Sequence, residues 1–233
     1  MASVNIYKRK QGYFSEEAYK SFRTNLLFCG EDKKVIALTS CTPGEGKSYV
    51  SLNLSMSLSE AGYKVLLLEA DLRKPVLIGR VHTRGKVRGI SYYLVGQAKL
   101  EEVICMTNIQ NLNIIFAGRV PPNPTELLGG ENFRKMITQL RSQYDYIIID
   151  TPPLGSVIDC SVISKCCDGT ILVIEAGVIS YRFAREVKEQ LEKSQSPVLG
   201  VVLNKIDMDS KRFYGKYKTY AKYEKYARKS KKE

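Results

Sequence analysis

Short apolar runs alternate along this chain with longer, helix-like segments. The runs Val35–Thr39, Val65–Glu69, Leu112–Ala117, Tyr146–Asp150, Thr170–Glu175 and Val198–Leu203 are near-continuous in Val, Ile and Leu, the composition of strands covered on both faces. Between them, Ser48–Glu60, Glu131–Gln143, Ser156–Cys166 and Tyr181–Lys193 are each long enough for a crossover helix. The alternation predicts an α/β fold, a mostly parallel sheet flanked by helices on both faces, with the ligand site at the C-terminal ends of the strands. In Pro121–Glu126, Asn123 is placed to cap a helix that has Pro124 at its first position and Glu126 at its third.

With 233 residues and 44% hydrophobic composition, one domain with a full core accounts for most of the length. No apolar run approaches 18 residues and no basic-then-apolar leader opens the sequence, which predicts a chain that does not itself cross a membrane. The six cysteines form no CxxC pair, so they read as reduced, mostly buried thiols of a cytoplasmic protein with no cysteine metal site. Charge divides the chain: of the net +12, residues 205–233 hold eleven Lys/Arg against four Asp/Glu, or +7, leaving +5 for the rest. In this tail Tyr214, Tyr217, Tyr220, Tyr223 and Tyr226 recur every third residue. On an α-helix that step drifts about 60° backwards each time, so five tyrosines sweep roughly 240° and make no apolar face. No Val, Ile or Leu follows Ile206, so residues 210–233 are expected to be a flexible basic tail appended to a domain of residues 1–209. Basic residues interleaved with aromatics suit stacking on single-stranded nucleic acid, contact with an anionic membrane surface, or presentation of tyrosines as phosphate acceptors.

The candidate chemistry begins between the first strong strand and the first strong helix. Cys41-Thr42-Pro43-Gly44-Glu45-Gly46-Lys47-Ser48 has the form of a phosphate-binding loop with Cys41 in place of its usual first Gly. Gly44 and Gly46 supply permissive backbone, consecutive amides face an anion, Lys47 reaches the outer phosphates and Ser48 offers a hydroxyl to Mg²⁺. Thr42 through Tyr49 are therefore the expected nucleotide contacts. Asp150 ends an apolar strand as the carboxylate that holds Mg²⁺ through its water shell, and it also suits a plain turn cap. Val65–Pro75 repeats the design: strand alternation puts Glu69 and Asp71 on one side as metal ligand and general base, with Arg73 relieving their repulsion. Asn204-Lys205-Ile206-Asp207 has a spacing that can read guanine, or is simply a strand-end turn. His82, alone in a basic loop from Arg80 to Arg88, is given no role.

Across Thr39–Ser48, Leu66–Pro75, Pro121–Leu128, Ile147–Pro153, Gly200–Asp207 and the tyrosine cluster, the chain resembles the bacterial tyrosine kinase (BY-kinase) family, of the cytoplasmic type found in capsule and exopolysaccharide systems of Gram-positive bacteria. That family is similar to the MinD/ParA ATPases, whose signature lysine falls at Thr42 here. The resemblance implies ATP and Mg²⁺ as cofactors, Lys47, Glu69, Asp71 and Asp150 as catalytic residues, and Ser48, Asp71 and Asp150 around the metal. It further implies Asn204 beside adenine and the five tail tyrosines as autophosphorylation sites used in trans. An N-terminal helix at about residues 15–28 carries Glu17, Lys20 and Arg23, where the family has Glu-x-x-Arg-x-x-Arg, and implies assembly into a homo-oligomeric ring; the same residues suit a solvated face of local ion pairs. Glu69 likewise stands where the family has Asp. The implied partners are a membrane-spanning activator of the polysaccharide co-polymerase type, which would hold the protein at the inner face of the cell membrane, and a cognate phosphotyrosine phosphatase, with no nucleic acid. A switch ATPase without kinase activity and a nucleic-acid-binding ATPase are the alternatives.

Overall fold

The computed structural model describes residues 2–7, 12–84, 87–194 and 196–206. The tail tyrosines, Asp207 and the expected boundary at 209 lie outside these residues. The elements run β1 (Ser3–Ile6), α1 (Tyr13–Leu27), β2 (Val35–Ser40), α2 (Lys47–Glu60), β3 (Val65–Glu69), β4 (Val81–Arg84), α3 (Ile90–Leu94), α4 (Leu100–Val103), β5 (Ile104–Thr107), β6 (Leu112–Ile115), α5 (Pro124–Gly129), α6 (Glu131–Arg141), β7 (Tyr146–Asp150), α7 (Asp159–Ser164), β8 (Gly169–Glu175), α8 (Tyr181–Lys193) and β9 (Val198–Asn204).

These nine strands form one sheet in the order β4-β1-β5-β6-β3-β7-β2-β8-β9. From β6 to β9 every pairing is parallel, and β5 is antiparallel to β6. The chain leaves β2 towards β3 on one side and leaves β7 towards β8 on the other. The reversal opens a crevice above the C-terminal ends of β2 and β7, where open α/β sheets bind ligands.

Period-2 alternation of the central strands feeds two cores. Ile36, Leu38, Leu67 and Ile148 pack with Val50, Leu54 and Leu58 of α2. Val35, Leu66, Leu68, Ile147 and Ile149 pack on the other face with Phe133, Met136, Ile137 and Leu140, the apolar stripe of α6. In α2, Ser51 and Ser55 return their hydroxyls to the carbonyls of Lys47 and Ser51, which leaves small, satisfied side chains in a buried helix. Among the described residues no helix is long and apolar enough to cross a membrane, and all six cysteines are free thiols.

Three expectations are corrected and one, the helix start at Asn123, is met in position only. The strand expected to reach Ala117 stops at Ile115. Beyond it, the Phe116 and Ala117 carbonyls accept from Ile90 and Ser91 at the start of α3, and the Ala117 N–H turns to Glu69. The helix expected over 156–166 shrinks to α7 because residues 151–158 are pinned to β2: Leu154 N–H reaches the Ser40 carbonyl, and Gly155 lies so near that a Cβ would fall 2.2 Å from the Cys41 carbonyl oxygen. Asn123 precedes α5 and Pro124 opens it, but the Asn123 side chain makes no capping bond. His82 sits in edge strand β4, not in a loop, with its ring edge-on to Tyr7 at 4.8 Å. Strands β1, β4 and β5 had no counterpart in the pattern; each is four residues long and lies in the mixed flank of the sheet, where β1 is antiparallel to β4 and parallel to β5.

Candidate active site

The loop between β2 and α2 takes its shape from two glycines in the left-handed region, Gly44 at φ 92° and Gly46 at φ 88°. At Gly46 space is restrictive as well, since a Cβ there would fall 2.2 Å from Asn204 Nδ2. Cys41 is fully buried and its thiol is pushed up to about 12 by burial, with the Glu45 charge adding, so it fills its position as a neutral small side chain. Glu45 would repel phosphates if it faced them, yet it is folded behind the loop and buried. One oxygen accepts from the Thr42 N–H and from the Thr42 hydroxyl at 3.0 Å, and the other from the Glu175 N–H at 2.9 Å. Thr42 therefore spends both donors inside the loop. Asn204 donates to the Glu45 carbonyl at 2.8 Å and Lys205 to the Gly44 carbonyl at 2.7 Å, so the end of β9 braces the loop from outside.

Lys47 and Ser48 open α2, both nearly buried. The Lys47 ammonium lies 2.8 Å from Asp150 Oδ1, 3.4 Å from the Ser48 hydroxyl and 4.0 Å from Asp71 Oδ2. Asp150 is wholly buried; Ser51 also donates to its Oδ1 at 3.3 Å, while its Oδ2 has no hydrogen-bond partner. Two threonines fix the turn after it: Thr151 donates to the Leu38 carbonyl at 2.8 Å, and Thr39 to the Pro152 carbonyl at 2.9 Å. Asp71 Oδ1 accepts from the Lys74 N–H at 3.0 Å. Its carboxyl is pushed up from its ordinary value, by burial first, against the lowering influence of Lys47.

Sequence alternation placed Glu69 beside Asp71, and the structure separates them. Glu69 Oε1 accepts from the Val76 and Leu77 amides, both at 2.7 Å, and Oε2 from the Ala117 amide at 3.1 Å. The longer side chain holds the backbone of two loops. Arg73 still feels the Asp71 charge, but its guanidinium forks onto Asp159, a buried carboxylate that the sequence reading passed over. Glu17 and Lys20 form a local pair at 2.7 Å, and Arg23 donates to the Ser57 carbonyl of α2 at 2.6 Å. Tyr49 lies in the first turn of α2, beside the loop.

Among the described residues no group of three or more His, Cys, Asp or Glu forms a protein-only metal cage. The donor set suits Mg²⁺ in its usual form, with few protein oxygens and several waters and phosphates. A wholly buried carboxylate oxygen without a partner, Asp150 Oδ2, is an atom that such a hydrated cation would satisfy. The residues present fit the group.

A family described as AAA domain matches residues 33–199. "Tyrosine-protein kinase CpsD" of Streptococcus agalactiae is 44% identical over 213 residues, covering 91% of this chain and 93% of that protein. "Tyrosine-protein kinase YwqD" of Bacillus subtilis is 34% identical over 207 residues, covering 88% and 87%. Among solved structures, the kinase domain of Escherichia coli tyrosine kinase ETK superposes with a TM-score of 0.79 at 30% identity, covering 84% of this chain and 77% of that one. The chain has the P-loop nucleotide-binding fold and belongs to the family of bacterial tyrosine-protein kinases, whose activity as a protein-tyrosine kinase it shares.

Proposed function

We propose that this kinase uses ATP with Mg²⁺, phosphorylates Tyr214, Tyr217, Tyr220, Tyr223 and Tyr226 of neighbouring copies, and regulates capsular or exopolysaccharide synthesis. The observation that carries the nucleotide part is the Lys47–Asp150 pair at 2.8 Å with Asp150 Oδ2 left unpartnered: a cation at the end of the loop and a carboxylate with one oxygen to spare. Mg·ATP, when bound, supplies the phosphoryl group and neutralises charge on its oxygens. The loop amides of residues 43–48 and the N-terminus of α2 hold phosphates, Lys47 exchanges Asp150 for phosphate oxygens, and Ser48 and Asp150 orient the hydrated cation. Asp71 faces Lys47 from the other side and accepts the tyrosyl proton; its raised carboxyl makes it a stronger base than an exposed aspartate. Asn204, tied to the loop through the Glu45 carbonyl, contacts the adenine ring in this reading.

Residues 1–209 form the kinase domain in this reading, and residues 210–233 are its acceptor tail. Glu17, Lys20 and Arg23 on α1 contribute to a ring in which each tail serves the next subunit's site, since neighbours share a high effective concentration. A membrane-spanning activator of the co-polymerase type holds the ring at the cytoplasmic face of the membrane, and a phosphotyrosine phosphatase reverses the modification. Phosphosite mass spectrometry after incubation with Mg·ATP tests this. Wild type is expected to carry phosphate on the tail tyrosines and Lys47→Met none; equal labelling of both would remove the assigned site.

A further inference from the structure

Arg73 leaves the chain two residues after Asp71, and its side chain reaches across to the first turn of α7. Arg73 Nε donates to Asp159 Oδ2 at 2.6 Å and Nη2 to Oδ1 at 3.0 Å. The same Nη2 reaches the Thr125 hydroxyl at 2.9 Å, and that hydroxyl donates to Asp159 Oδ1 at 2.6 Å. The triangle joins three segments distant in sequence: the one after β3, the first turn of α5, and the start of α7. Asp159 is wholly buried, whereas the Arg73 side chain is 40% exposed, so the interior anchors the clamp and Arg73 is the arm. A buried carboxylate requires such a partner, and a planar guanidinium that donates two bonds at once fixes direction as well as distance.

What this arm holds is the backbone that carries Asp71. Lys74, next to Arg73, donates its N–H to Asp71 itself, and further along Val76 and Leu77 are fixed by Glu69. Asp71 is thereby presented to Lys47 at 4.0 Å with its Oδ2. We propose that Arg73, Thr125 and Asp159 form a positioning clamp that sets the Asp71 carboxylate for proton transfer, and that its loss slows phosphoryl transfer without weakening nucleotide binding. This rests on the kinase reading of the site. Arg73 is a positioning residue, acting through Asp71 and not on the substrate.

Coupling separates this role from that of a mere structural staple. Full-length chains bearing Arg73→Lys, Thr125→Val or Thr125→Ser are compared with wild type, and Arg73→Lys is repeated in an Asp71→Asn background. Single-turnover phosphotyrosine formation with saturating Mg·ATP and binding of a fluorescent ADP analogue are both read. Lysine keeps the charge but not the fork, so Arg73→Lys is expected to slow transfer about tenfold or more, with ADP affinity within about twofold of wild type. Thr125→Val is expected to slow transfer about threefold and Thr125→Ser to restore it. In the Asp71→Asn background the Arg73→Lys loss should fall below about twofold, because the carboxylate it positions is gone. Wild-type transfer in Arg73→Lys, a parallel loss of ADP affinity, or an undiminished tenfold loss in the Asp71→Asn background would each overturn the clamp. If Asp71→Asn alone transfers at the wild-type rate, the proton-acceptor assignment falls and takes the clamp with it; loss of phosphotyrosine in Asp71→Asn with full transfer in Arg73→Lys removes only the clamp.

Discussion

Asp150 at the end of β7 and Glu69 at the end of β3 sit opposite each other in the sheet register and are equally buried. Their oxygens are used differently. Glu69 accepts three backbone N–H groups, with both of its oxygens engaged. Asp150 engages Lys47 and Ser51 through one oxygen and leaves the other unpartnered. Burial alone therefore does not mark a carboxylate for a ligand; the proposed function rests instead on unmet hydrogen-bonding capacity inside the protein, which carries a cost that a ligand relieves.

The largest effect that sharpens the contrast is on catalysis. Asp150→Asn keeps the shape and removes the charge, and is expected to lower single-turnover transfer at least about a hundredfold, or about 2.7 kcal/mol of transition-state stabilisation. Folding should survive, because Asn can still accept from Ser51. The next effect is on stability. Glu69→Gln turns an amide NH₂ towards one of the three backbone donors, at a cost of about 1–3 kcal/mol read by urea unfolding, with transfer below the unfolding transition within about threefold of wild type. A hundredfold loss of activity in a fully folded Glu69→Gln protein would break the distinction.

The pH response is smaller and has a definite sign. Burial raises the Glu69 carboxyl above its ordinary 4.5, and this outweighs the three amides that favour the ion. The folded state thus holds this proton more tightly than the unfolded state, so the contribution is present below about pH 4.5 and is lost as pH rises through the raised folded value. Asp71, also raised by burial, adds in the same sense. Thermal unfolding followed from pH 4.5 upwards should show a downward component in wild type that Glu69→Gln reduces; an identical pH profile in the variant would show that Glu69 ionises without cost. The smallest effect is expected from Ser51→Ala, which removes a hydroxyl shared between the Lys47 carbonyl at 3.0 Å and the already paired Asp150 Oδ1 at 3.3 Å, and should cost about 1 kcal/mol of stability and under about threefold in transfer.

The central strands and the phosphate loop were legible in the sequence because one local signal fixes each of them: a continuous Val/Ile/Leu run between breakers, or Gly-Lys-Ser between such a run and a helix. Lys47, Ser48, Asp71 and Asp150 converge because each lies at the C-terminal end of a parallel strand or opens the following helix, so topology alone brings them to one edge. Strands β1, β4 and β5 were not legible, since four residues are too few for a period. The fate of Glu69 depended on amides 7, 8 and 48 residues away, and that of Arg73 on Asp159, 86 residues on. Alternation gives the side of a strand on which a carboxylate starts, but not which backbone donors lie within reach of its longer stem. Glu45, inside the most recognisable motif, carried no sign that it would face backwards.

The most direct test measures phosphotyrosine formed in a single turnover with saturating Mg·ATP by folded Asp150→Asn and Glu69→Gln proteins side by side. Transfer lost in Asp150→Asn and kept in Glu69→Gln is the expected result. Full transfer in Asp150→Asn, with Glu69→Gln inactive, would contradict the assignment of catalysis to the unsatisfied carboxylate.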